Sequence, residues 1–280
     1  MYILGTDDSG PTMIHLARCL AKITSMSTLA AFLCWSMPAL PAPALQVAAA
    51  ADLAMCIGEL NAAFAKSVGG ADIQASIGSS GNFYAQIKNG APFDVFLSAD
   101  IDYPRELIKA GLADGATLMV YAHGQLMMWT TDPSVDVSLG LALLNDPKIK
   151  RIAIANPAVA PYGRAAKAAL EKAALWDALR PKLVLGESVA QVAQFVQSRN
   201  AEVGFVGISH VQSANGDTRG ARGQSWKVPQ DLYPLIEQGG VVTAKGRGNP
   251  MALKYLDFLR SEAGHIVLRK FGFVLPADRP

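Results

Sequence analysis

From residue 45 onward, short apolar runs alternate with segments whose apolar side chains recur every three or four positions. Residues 45–50 (LQVAAA) are a short apolar run and predict a strand. Leu53, Cys56, Ile57, Leu60 and Phe64 then recur at helical spacing behind Asp52, whose residue type suits an N-cap. Gly69-Gly70 ends that helix. Residues 73–77 predict the next strand, Phe83, Tyr84 and Ile87 a short amphipathic helix, 94–98 a buried strand, and 103–110 a helix stopped by Gly111. The long apolar stretch 118–131 is broken at His123-Gly124, which predicts two abutting strands and a bend where the chain passes between sheets. A short helix (139–144), a strand (151–155), a loop (156–163), a long helix (164–175) and a strand (183–185) follow. Gly186-Glu187-Ser188 introduces a helix over 189–198 with Val189, Val192, Phe195 and Val196 on its buried face, and 203–206 is another strand. Residues 215–223 are polar and glycine-rich and predict an exposed loop, 241–244 a strand that returns to the first sheet, and Leu253 to Leu268 two closing helices. This alternation predicts an α/β fold with largely parallel pairing, and two chain crossings, near 120–126 and 232–242, predict a hinge between two lobes.

The chain has 280 residues, enough for one large or two modest domains. Its formal net charge is +2, so no strong field draws it to nucleic acid or a membrane surface. Arg18 and Lys22 precede an uncharged apolar run at 26–37, too short to span a bilayer, and Ala42-Pro43-Ala44 offers a small-x-small cleavage site before Leu45. Residues 1–44 therefore read as a signal peptide with an over-long start, which predicts export to the periplasm. Of Cys19, Cys34 and Cys56, only Cys56 remains in the mature chain, so no internal disulfide is expected.

Residues 77–100 read IGSSGNFYAQIKNGAPFDVFLSAD. Gly78-Ser79-Ser80-Gly81 places two hydroxyls at a helix start, where unpaired N–H groups and the positive end of the helix dipole favour an oxyanion. The bland alternative is that both serines cap the helix. Two strings, Ser79-Ser80-Gly81-Asn82-Phe83-Tyr84-Ala85-Gln86-Ile87 and 90–100 (GAPFDVFLSAD), resemble the signature of the periplasmic molybdate-binding proteins of ABC transporters, the ModA family. Weaker similarity runs from Val47 to Val274. The resemblance implies a two-lobed type II periplasmic-binding-protein fold, with two mixed sheets flanked by helices and a ligand cleft at the hinge. Lobe 1 would be 45–122 plus 240–280 and lobe 2 would be 123–239. It also implies a molybdate or tungstate ligand, an ABC permease and ATPase as partners at the inner membrane, a monomer, and no cofactor.

A tetrahedral dianion offers acceptors only, so a selective site offers only donors. Four strand-to-helix junctions fit: Ala51-Asp52, Ser79-Ser80, Pro161-Tyr162-Gly163 and Ser188-Val189. The resemblance assigns Ser80 a donating hydroxyl and amide, and Tyr162 and Val189 main-chain amides. Asp52 departs from the family, which usually has a serine, threonine or asparagine donor there. An ionised Asp52 would repel the anion, so it is expected to cap its helix or turn away and leave the Ala51 or Asp52 amide as donor. Gly207 stands where the family has a tyrosine hydroxyl, which leaves that contact missing unless the Tyr162 hydroxyl compensates. A binding protein for sulfate or thiosulfate is the alternative of the same design. An enzyme is not expected: His123, His210 and His265 form no triad or metal-ligand spacing, and Gly207-Ile208-Ser209-His210-Val211 lacks the final glycine of a nucleophile elbow. His210 reads as a helix-surface residue. The effector domain of a transcription regulator would need a helix-turn-helix or basic stripe, and none precedes this chain's apolar start.

Overall fold

The computed structural model describes residues 44–212 and 223–278. The expected signal peptide, save Ala44, and the expected 215–223 loop, save Gly223, lie outside the described residues. Two five-stranded sheets carry the fold. The first uses β1 (Leu45–Ala50), β2 (Ile73–Gly78), β3 (Val95–Ser98), β4 (Met119–Gly124) and β10 (Ile236–Val242), in the order β2-β1-β3-β10-β4. The second uses β5 (Leu126–Thr130), β6 (Ile152–Ala155), β7 (Leu183–Gly186), β8 (Val203–Gly207) and β9 (Gln224–Lys227), in the order β7-β6-β8-β5-β9. Each sheet is mixed. β1 runs parallel to β2 and β3, while β10 is antiparallel to β3 and β4; β6 runs parallel to β7 and β8, while β5 is antiparallel to β8 and β9. Only Gln125 separates β4 from β5, and the chain returns to the first sheet between Lys227 and Ile236. A two-lobed α/β protein results.

The helices are α1 (Ile57–Ser67), α2 (Ser80–Lys88), α3 (Asp102–Lys109), α4 (Pro161–Lys172), α5 (Trp176–Leu179), α6 (Val189–Gln197), α7 (Pro250–Arg260) and α8 (Glu262–Lys270). α1, α7 and α8 cover one face of the first sheet and α2 and α3 the other. Leu45, Val47, Ala49, Val95 and Leu97 point into one apolar cluster with Phe64, Tyr255 and Leu259. The intervening Ala48 and Phe96 point into another with Phe83, Leu107 and Val241. Strands buried on both faces read as continuous apolar runs, which is why residues 45–50 and 94–98 were legible.

Several boundaries differ from expectation. The helix expected from 164 begins at Pro161, because proline at the first helical position has a preset φ and needs no N–H partner. Asp52 does not start α1. It lies in a 3-10 turn, Ala51–Met55, separated from α1 by Cys56. The helix expected at 139–144 is a 3-10 segment, Val137–Asn145, kinked at Gly140 (φ 61°). Phe195 is half-buried where burial was expected, and β10 begins at Ile236, well before the expected 241. Strand β9 was not foreseen, since Gln224 and Lys227 at its ends are exposed and the strand lies at a sheet edge. Cys56 is a free, buried thiol.

Candidate functional site

Strand ends deliver four helical first turns to one place. β1 runs into the 3-10 turn, β2 into α2, the loop after β6 into α4, and β7 into α6. Ala51, Asp52, Ser79, Ser80, Tyr162 and Val189 all line a single cavity there, with Ala50, Ala99, Ala160 and Pro161. The cavity is small, about the size of one water as it stands. None of the residues lining it is a lysine, arginine or histidine.

The two serines divide their tasks. Ser79 is the N-cap of α2, its Oγ accepting from the Asn82 N–H at 3.3 Å. Ser80 is not a cap. Its Oγ accepts from the Ala99 N–H at 2.9 Å, which orients the hydroxyl and leaves its proton to donate. Ser188 caps α6 through the Gln191 N–H at 3.4 Å, so Val189 is the first helical residue. Ser80, Tyr162 and Val189 all sit in first turns, where a helix supplies no acceptor for the backbone N–H. Together they make a concave array of neutral donors at positive dipole ends.

Asp52 does not cap α1. It is fully buried, and its Oδ2 accepts from the Tyr162 hydroxyl at 3.1 Å and from Gln238 Nε2. Gln238 in turn accepts from the Tyr121 hydroxyl at 2.7 Å. Burial pushes the Asp52 carboxyl up to about 6, against the Gln238 and Tyr162 bonds that favour its ionised form. Sequence reasoning missed Gln238. Its only local signal is a buried amide within the apolar strand Ile236–Val242.

Tyr162 also explains Gly207. A Cβ at 207 would lie 3.1 to 3.2 Å from the Tyr162 ring and hydroxyl, so the tyrosine of α4 fills the space beside β8 that a side chain at 207 would need. Its hydroxyl donates to Asp52. His210, expected on a helix surface, is buried in a 3-10 turn (Ile208–His210) after β8. Burial lowers its pKa to about 4.

Several contacts join the two sheets' elements across the cleft. The Gly81 N–H donates to the Val159 carbonyl at 2.9 Å, and Ser209 Oγ donates to the Asp52 carbonyl at 2.5 Å. Arg164 of α4 bridges to Asp100 and donates to the Tyr103 hydroxyl at 3.1 Å. The cleft is thus in a closed arrangement.

Fold and site together define a two-lobed protein with a closed cleft lined at helix starts. The chain belongs to the bacterial extracellular solute-binding protein family, whose model matches residues 45–274. It is 40% identical over 238 residues to the molybdate-binding protein ModA of Rhodobacter capsulatus, covering 84% of this chain and 91% of that one. It is likewise 40% identical over 231 residues to ModA of Azotobacter vinelandii, covering 82% and 90%. The solved periplasmic molybdate-binding protein of Azotobacter vinelandii superposes with a TM-score of 0.78 at 32% identity, covering 83% of this chain and 99% of that one.

Proposed function

We propose that this chain captures molybdate, or tungstate, in the closed cleft and delivers it to an ABC permease and ATPase at the inner membrane. It acts as an exported periplasmic monomer and performs no chemistry on the anion. The observation that carries the reading is the convergence of four helical first turns and the Ser80 hydroxyl on one cation-free cavity. A fully ionised oxyanion has acceptors alone, and such a cavity offers it donors without burying a lysine or arginine. The cavity's small volume favours a bare oxyanion over an organic phosphate. The names and 40% identity of the relatives support molybdate in particular. Ala51, Asp52, Ser79, Ser80, Tyr162 and Val189 form the binding set, with Ser80 donating both hydroxyl and amide. Closure is a population shift that ligand contacts with both lobes drive.

Competition calorimetry at pH 6 on the chain from Leu45 tests this. One-to-one binding of molybdate and tungstate that persists in excess sulfate is the expected result. Displacement of molybdate by an equal concentration of sulfate would transfer the function to sulfate-type anions.

A further inference from the structure

Asp52 is the one acidic side chain on the cavity wall, set among donors. Its Oδ2 already accepts two hydrogen bonds, from Tyr162 and Gln238. Its Oδ1 is buried with no hydrogen-bond partner. As a carboxylate, that oxygen would leave an unpaired acceptor and a negative charge buried at the wall of the anion cavity, a costly arrangement in a dry site. As a carboxylic acid it fits. Oδ2 serves as the carbonyl oxygen that accepts two bonds, and the proton sits on Oδ1, which becomes a donor like its neighbours.

The surroundings agree. Tyr162 on α4 and Tyr121 on β4 are pushed up by burial and stay neutral, as does the Cys56 thiol next to the 3-10 turn. The turn 208–210, packed against Asp52's own turn, brings the Ser209 hydroxyl to the Asp52 carbonyl, and its His210 is neutral above about pH 4. The Asp52 and Leu53 amides lie near enough to favour ionisation without meeting Oδ1 in a hydrogen bond, and the two side-chain bonds act in the same direction, yet burial outweighs them all. Among the described residues, no salt bridge reaches Asp52.

Building on the oxyanion reading of the cleft, we propose that Asp52 is a specificity-determining residue that enters the complex as a neutral acid, its Oδ1–H donating to the bound anion. Anion and proton are then captured together. Linkage makes this reciprocal: a dianion beside Asp52 raises its proton affinity, and protonation of Asp52 raises anion affinity by the same factor. The site selects an anion with no proton of its own. An ionised Asp52 would instead select one that brings a proton, such as hydrogen phosphate, whose hydroxyl could donate to Oδ1.

The test is calorimetry of the wild-type chain with sodium molybdate at pH 7.5, in two buffers of different ionisation enthalpy, together with a Kd series from pH 6 to 8.5. Close to one proton taken up per anion is expected. The Kd should weaken by a factor approaching ten for each pH unit above about 6. In Asp52→Asn, whose amide supplies a donor at every pH, proton uptake vanishes and the profile flattens. Molybdate binding with no proton uptake and a flat wild-type profile would overturn the proposal alone. So would inorganic phosphate displacing molybdate at pH 8. Failure of molybdate, tungstate and phosphate to bind at any pH would overturn the oxyanion reading, and this inference with it.

Discussion

Asp52→Asn also probes the ligand-free protein, where the electrostatics of Asp52 become a stability term. Burial raises this carboxyl from 3.8 to about 6. A raised folded-state pKa means the folded chain holds a proton that the unfolded chain has already released, so stability is lost as pH rises between the two values. The cost is absent below about 3.8 and complete above about 6. At about 1.4 kcal/mol per pH unit, the span amounts to about 3 kcal/mol. Asparagine keeps an oxygen for Tyr162 and Gln238 and places an NH2 where Oδ1 has no partner, so it escapes this cost at any pH. Urea unfolding of anion-free wild-type and Asp52→Asn chains, at pH 4, 5, 6 and 7.5, measures the effect. Comparing the two at each pH cancels the titration of every other carboxylate. The variant's advantage is expected to grow by about 2.4 kcal/mol from pH 4 to pH 7.5, the remainder having appeared below pH 4, at unchanged m-value. An advantage that stays constant across the series would refute the reasoning, because it would mean that Asp52 titrates as it does in the unfolded chain.

Other substitutions test the binding array. Ser80→Ala removes one donor and leaves the Ala99 N–H without its acceptor, so molybdate affinity should fall roughly 10- to 100-fold by calorimetry; an unchanged Kd would remove Ser80 from the site. Gly81→Ala would place a Cβ 2.6 Å from the Val159 carbonyl oxygen and 2.8 Å from the Tyr103 hydroxyl. It should hold the lobes apart, with affinity reduced at least roughly tenfold and anion-induced compaction lost in small-angle scattering. Normal compaction would show that this contact does not govern closure. Arg164→Ala removes a half-exposed bridge to Asp100, so the anion's dissociation rate in stopped flow should rise only a few-fold, in line with the ~0.2–1 kcal/mol of such pairs. A rise of a hundredfold would mean that the bridge is a principal latch.

Much of the fold was readable because its signals are local. Strands buried on both faces produce apolar runs, and helices on the sheets show their inward residues every third or fourth position. What escaped were elements whose burial is uneven. Gln224 and Lys227 conceal edge strand β9, and Glu237, Gln238 and two glycines conceal the start of β10. Asp52 misled for a related reason. A lone aspartate after a strand reads as a helix cap, since the groups that draw it inward lie 110 and 186 residues further on, at Tyr162 and Gln238.

The four junctions were recognisable one by one, since each is a strand end followed by a small or hydroxyl residue and a helical period. How they complete one another was not. Gly207 looked like a missing donor. In the folded chain it is the vacancy that lets the Tyr162 ring pack against β8 and send its hydroxyl to Asp52. That hydroxyl and Gln238 occupy Oδ2 and leave Oδ1 as the only carboxyl oxygen able to answer the anion. Glycine at 207, tyrosine at 162, glutamine at 238 and aspartate at 52 therefore act as one arrangement. Replacing Asp52 alone is expected to change the pH dependence of binding, whereas a bulky side chain at 207 must displace Tyr162 and so disturb the whole wall.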